Sequence, residues 1–151
     1  MKSIVVIATS ALAAATGLIL AQPYRTVLVQ GRSMDPTFHD GQVALYGPLE
    51  GEPRPGQVVL LEHDGTILIK RVALTSGQTV TEAYIPSLRH WYPVETKRAY
   101  RAVKRRNLAR REEPIPSGYV YVLGDNPSES YDSRNFGLVP VGEVKGVVLE
   151  R

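Results

Sequence analysis

The chain has 151 residues and no cysteine, which excludes disulfides, thiolate-bound zinc and a thiol nucleophile. The absence says nothing about compartment. Histidine is scarce: His39, His63 and His90 stand far apart, without the short spacing that sets two metal ligands on one helix face. Neither a bound metal nor a cofactor is expected. An excess of one charge is also missing, since 18 Lys and Arg against 15 Asp and Glu leave only +3. Global charge therefore does not point to nucleic acid as a partner. The length supports one domain with a small elaboration, enough to bury a core.

Charge is absent altogether from residues 3–21, SIVVIATSALAAATGLILA, which follow Lys2 and precede Arg25. This is about the length of a helix that spans a hydrocarbon core. A cleaved signal peptide is the competing reading. Ala13 and Ala15 satisfy its small-residue rule, but apolar residues continue past them, and a cut after Ala21 puts Ile19 at the third position. An uncleaved anchor over residues 1–22 is the expectation, with a buried soluble helix as the plain alternative. Lys2 favours an N-terminus kept inside, so that residues 23–151 lie on the far side.

Helical periodicity is lacking beyond the anchor. Val27–Val29, Gln42–Tyr46, Gln57–Glu62, Thr66–Leu74 and Tyr119–Leu123 are short β-branched or aromatic runs bounded by Gly and Pro. They predict an all-β fold with an antiparallel, barrel-like core. From Glu95 to Glu113 the pattern breaks into a crowd of Lys and Arg. A solvated hairpin or short helix on an inserted subdomain, about 77–114, is one reading. Contact with anionic membrane lipid is the other. Nucleic acid is not expected there, because the region lacks an aromatic ladder or a known fold signature.

Three segments carry candidate chemistry. In Gly31-Arg32-Ser33-Met34-Asp35-Pro36-Thr37, a serine sits on a turn directly after a strand, where backbone N–H groups could face a developing oxyanion. A serine beside a glycine is most often only a turn residue. In Thr66–Leu74, alternation sets Leu68, Lys70 and Val72 on one strand face. Lys70 reads either as a snorkelling surface side chain or as a buried amine, depressed far enough in pKa to serve as a general base. Arg71 points the other way and suits a structural ion pair. The third segment, Gly124–Gly137 (GDNPSESYDSRNFG), is a polar loop after a strand. It is either a self-bonded turn or the support of the lysine through Ser130, Asp132 and Arg134.

SMDPT, IKRV and GDNPSESYDSRNFG, in that order behind a hydrophobic segment, resemble the conserved boxes of the type I signal peptidases, a family that includes bacterial leader peptidases and mitochondrial inner-membrane proteases. The likeness runs from about Val27 to Val148, with IPSGYVYVLGDN and GLVPVGEVKGV as matching flanks. It implies a membrane-anchored serine endopeptidase that cuts signal peptides from translocated preproteins after small residues. Ser33 matches its nucleophile and Lys70 its general base. Ser130 matches the hydroxyl that hydrogen-bonds the lysine; Asp132 and Arg134 match the buttressing ion pair, joined by Arg71. The resemblance also implies an oxyanion hole from the backbone at Ser33 and around Gly31, and a substrate bound as an extra strand. Val29, Met34, Leu68 and Ile69 are its candidate pocket residues. The bacterial cytoplasmic membrane, extracytoplasmic face, is the expected location, with the mitochondrial inner membrane as the alternative.

The chain departs from the family pattern at Gly31, where some members carry a Ser or Thr that adds an oxyanion donor, and at Gly41-Gln42, Gly56-Gln57 and Gly77-Gln78, where an acid often follows the glycine. A self-cleaving repressor-type serine–lysine protease would share the chemistry but not the hydrophobic N-terminus. A catalytically silent membrane-anchored β-domain would lack Ser33 or Lys70.

Overall fold

The computed structural model describes residues 23–94 and 97–150, so the expected anchor over residues 1–22 lies outside the described residues. Among the described residues no helix is long and apolar enough to cross a membrane. In chain order the strands are β1 (Arg25–Leu28), β2 (Val43–Gly47), β3 (Val58–His63), β4 (Thr66–Thr75), β5 (Thr79–Ile85), β6 (His90–Pro93), β7 (Arg110–Pro114), β8 (Tyr119–Leu123), β9 (Val139–Pro140) and β10 (Val144–Val148). Among the described residues two α-helices, α1 (Lys97–Arg105) and α2 (Ser133–Phe136), and a 3-10 turn at Val141–Glu143 accompany them.

The fold is all-β. Seven strands form one antiparallel sheet in the order β1-β2-β10-β3-β4-β8-β9, and three form a second in the order β6-β5-β7. The larger sheet is open rather than closed into a barrel, since β1 and β9 stand at its two edges.

At the centre, β3 and β4 pair from Val58↔Arg71 to His63↔Thr66. Asp64 and Gly65 connect them with positive φ of 48° and 71°, the two-residue turn whose twist matches a hairpin. Val58, Val59, Leu60 and Leu61 are all fully buried, so both faces of this hairpin are covered. Val58, Leu60 and Ile69 join one core cluster with Val27, Val29, Met34 and Phe38. Val59, Leu61, Leu68 and Val72 join another with Val120, Val122 and Val139. Each such side chain contributes about 1.5–3 kcal/mol relative to exposure.

The smaller sheet docks through Val80, Ile115 and Tyr121, against which Leu74 and Leu123 pack. A polar joint supports the contact: the buried Glu82 accepts from Tyr121 Oη at 3.0 Å and from Arg111 Nε. The charged run at 97–111 resolves into α1, a turn and the start of β7, which pairs with β5 along its whole length.

Candidate active site

Lys70 stands near the middle of β4 and is 1% exposed. On one side its backbone partner is Val59. On the other, β8 covers β4 only from Arg71 (opposite Leu123) to Thr75. After Leu123 the chain leaves as a loop, and its first residue, Gly124, comes alongside Lys70. A Cβ on Gly124 would lie 2.2 Å from Ser130 Oγ and 2.6 Å from the Ser33 carbonyl oxygen. Glycine is required here by close approach, not by φ. Only without a side chain can the loop, the nucleophile's turn and the lysine strand meet.

The turn after β1 brings Ser33 to this point. Gly31 has φ 85°, open to glycine at little steric cost. The third segment grips the turn from outside, through Asn126 N–H to Ser33 O at 2.9 Å and Asn126 Nδ2 to Arg32 O at 3.1 Å. Beneath it Met34 and Phe38 are buried in the first core. Lys70 Nζ then lies 3.0 Å from Ser33 Oγ in a buried hydrogen bond.

Burial is the main reason that the Lys70 amine is depressed, from 10.5 to about 8. Asp132 opposes that shift and Arg134 assists it. Because those two oppositely charged groups lie side by side, desolvation prevails. Asp132 is wholly buried, with Arg134 Nε on Oδ1 at 2.8 Å and Arg134 Nη2 on Oδ2 at 2.6 Å. Its carboxylate also accepts from Gly124 N–H at 2.8 Å and Ser130 Oγ at 2.6 Å. Burial alone would raise its pKa, but these hydrogen bonds hold it below the ordinary carboxylate value. Asp132 is in addition the N-cap of α2, in a capping box with Asn135. The ion pair is thereby fixed by local backbone as well as by charge.

Three expectations need correction. Ser130 does not hydrogen-bond Lys70: its hydroxyl donates to the Asp132 carboxylate at 2.6 Å, while the Lys70 amine is hydrogen-bonded to Ser33 Oγ. Arg71 does not join the Asp132–Arg134 pair. As the next residue in the strand it points away from Lys70, and it holds Asp125 by Nε at 2.8 Å and Nη2 at 2.7 Å, together with Glu150 at 2.7 Å and Gly56 O at 2.7 Å. Gly31 N–H is committed to Asp40 Oδ1 at 2.7 Å, so it is not a free oxyanion donor. The N–H of Ser33 has no hydrogen-bond partner among the described residues.

The candidate pocket residues do not share one surface. Val29, Met34 and Ile69 belong to the first core and Leu68 to the second, and all four are nearly inaccessible. Two residues that sequence reasoning left without a role belong to the site's frame. Asp125 receives Thr37 Oγ1 at 2.5 Å as well as Arg71, so it ties the serine's turn to β4. Alternation sets Arg71 on the face away from Lys70, where it needs an acid, but that the acid is Asp125 follows only from setting β8 beside β4. A cavity of about 520 Å3 shares Gly124, Asp125 and Arg134 with the site, but neither Ser33 nor Lys70 lines it, so it is not where the hydroxyl would react. Among the described residues no cluster of His, Asp and Glu could hold a metal ion.

A buried amine against a serine hydroxyl, on an open β-sheet and without histidine, defines a peptidase class distinct from the Ser-His-Asp enzymes. The model of the family described as signal peptidase, peptidase S26, matches residues 1–151. The chain is 34% identical over 143 residues to signal peptidase I of Bacillus licheniformis, covering 85% of this chain and 76% of that protein. It is 29% identical over 154 residues to signal peptidase IB of Staphylococcus aureus strain Mu50, covering 89% and 79%. The chain belongs to this signal peptidase family of serine endopeptidases.

Proposed function

We propose that the protein is a membrane-anchored signal peptidase that removes N-terminal signal peptides from translocated preproteins after small residues. Residues 3–21 serve as a single-pass anchor, and residues 23–151 form the peptidase domain on the extracytoplasmic face of a bacterial cytoplasmic membrane. The observation that carries the mechanism is the 3.0 Å approach of the buried Lys70 amine to Ser33 Oγ.

In its charged form the amine donates to the hydroxyl. Once neutral, it presents a lone pair and the hydroxyl donates instead. Ser33 Oγ then attacks the scissile carbonyl carbon while its proton passes to Lys70 Nζ. The oxyanion that forms is met by the uncommitted N–H of Ser33. Lys70 returns the proton to the leaving amine, and the acyl-enzyme remains on Ser33. Lys70 next deprotonates a water that attacks the ester, and it returns that proton to Ser33 Oγ as the acyl–oxygen bond breaks and the carboxylate product leaves. Among the described residues no strand pairs with the β8 side of β4 between Thr66 and Lys70. A substrate added there as a strand would run directly up to the reacting pair.

The assay is cleavage of a preprotein with an Ala-x-Ala site by the full chain in detergent. Ser33→Ala and Lys70→Ala abolish cleavage, and wild-type kcat/KM rises with pH through about 8. Either variant cutting at the wild-type rate would overturn the assignment.

A further inference from the structure

The positive charge of this protein is concentrated. From Lys97 to Arg111 there are eight Lys and Arg and no acid; the other ten basic residues and all 15 acidic ones lie elsewhere, so the rest of the chain is net negative by five. The fold gathers most of that cluster on one surface. At 3.6 residues per turn, Lys97, Arg98, Arg101, Lys104 and Arg105 of α1 fall within an arc of about 120°. All five are exposed, and Val103 on the opposite side of the helix is buried. Among the described residues none of the five takes part in an ion pair.

Lys104 and Arg105 suit the dipole in the last turn, but the rest of the arrangement works against the helix that displays it. Lys97 and Arg101, and Arg101 and Arg105, are like charges four apart and repel. The first turn carries two cations and no acid, where the helix dipole favours the reverse. A merely solvated helix would be more stable with acids interspersed. The cost is offset when an external anionic surface meets all five cations together.

We infer that this face of α1 is a docking surface for anionic phospholipid headgroups. The inference rests on the proposed function, which places the domain beside a bilayer. The five cations lie on one face of a single nine-residue helix, which suits a patch of phosphate headgroups better than the long groove that tracks a nucleic-acid strand. Tyr100, the aromatic residue of α1, is engaged by Arg110, through a 3.1 Å hydrogen bond and a guanidinium 5.5 Å from the ring centroid, and so is not presented as a stacking platform. Attraction of basic residues to anionic leaflets reaches only about 8–10 Å at physiological salt. α1 therefore docks only when the small sheet is turned toward the bilayer.

Among the described residues none of the five cations is a hydrogen-bond partner of Ser33, Lys70 or Asp132, so their charges can be removed without touching the reacting pair. The test is hydrogen exchange of the amides of Lys97–Arg105 in the full-length protein. It is reconstituted in phosphatidylcholine vesicles or in vesicles with roughly a third phosphatidylglycerol. Exchange of α1 slows in the anionic vesicles, and the difference disappears in about 0.5 M NaCl. The triple variant Arg101→Gln, Lys104→Gln, Arg105→Gln loses the protection, because three charges at roughly fivefold each lower docking roughly 100-fold. Cleavage of a short soluble peptide in phosphatidylcholine vesicles stays at the wild-type rate in that variant, which shows it folded. Equal exchange of α1 in the two vesicle types overturns the inference, as does protection by a single-stranded oligonucleotide but not by phosphatidylglycerol. The exchange measurement is repeated on Ser33→Ala protein, so the docking surface is judged even if the chain cleaves nothing.

Discussion

Replacing Lys70 with methionine should abolish activity yet make the protein more stable at neutral pH, and the pH dependence of that gain is the sharpest check on the buried amine. Lysine buried in the fold has its pKa drawn down from 10.5 to about 8, chiefly by desolvation. The drop corresponds to about 3 kcal/mol of destabilisation while the amine is charged in both folded and unfolded chains. Methionine fills nearly the same volume without a charge and escapes that penalty. It also deprives the buried Ser33 hydroxyl of its 3.0 Å partner, a loss of about 1 kcal/mol. The net expectation below pH 8 is a variant more stable by about 2 kcal/mol. Because the folded pKa is the lower one, the unfolded chain binds more protons between about 8 and 10.5, and wild-type stability rises with pH across that window. The advantage of the variant should therefore shrink above pH 8 and reverse near pH 10, to the cost of the lost hydrogen bond. Urea unfolding of both proteins in detergent at pH 7, 8.5 and 10 measures the difference, with all other titrating groups common to the two. A variant that is less stable at pH 7, or a gap that does not change with pH, would refute a desolvated lysine.

Gly124→Ala should lower kcat by about 100-fold or more, since its methyl must displace the Ser33 carbonyl or the Ser130 side chain. Far-UV circular dichroism should stay unchanged. Asp132→Asn breaks a wholly buried pair with Arg134 and should cost about 3–5 kcal/mol of stability. Loss of the charge that holds the Lys70 pKa up should also move the pH–rate profile to lower pH. Wild-type stability due to Asp132 is present above the ordinary carboxylate pKa and is lost as pH falls through its depressed folded value, visible as a steeper acid limb than in the asparagine variant. Thr37→Val removes a hydroxyl from Asp125 and should lower stability by about 1 kcal/mol while loosening the serine's turn, so kcat should fall more than KM rises.

Short β-branched and aromatic runs bounded by Gly and Pro made β2, β3, β4 and β8 legible, although β3 is buried on both faces while β2 alternates buried and exposed side chains. β7 was not legible. Its residues Arg110–Pro114 are exposed throughout, and they are a strand only because β5 pairs with them. Five of the nine residues of α1 are cations, and one buried residue, Val103, is too little apolar pattern to separate a helix from a solvated loop. The four pocket candidates mix the two faces of β4, a separation that strand alternation already implies. Leu68 and Ile69 are consecutive in a strand and must face opposite ways, and they lie in different cores. Arg71 obeyed the same rule and pointed away from Lys70, but its acid could be identified only once β8 was set beside β4.

The separation of Ser33 from Lys70 shows what composition and spacing cannot supply. In strand order, β1 and β4 are separated by β2, β10 and β3. At about 4.8 Å per step, a flat sheet would set the two strands roughly 19 Å apart. A hydroxyl that leaves β1 by a tight turn meets an amine on β4 at 3.0 Å only if the sheet coils and the turn folds back over it. Met34 and Phe38, on that turn, are buried in one cluster with Leu60 of β3 and Ile69 of β4, and they fill the space that the coiling creates. The residues next to the serine therefore act mainly by packing: they carry the turn onto the lysine strand. Asp125 and Asn126 lock it there from the other side. The lysine is kept dry by the same closure that delivers the serine, so proximity and the lowered pKa are two consequences of a single packing event.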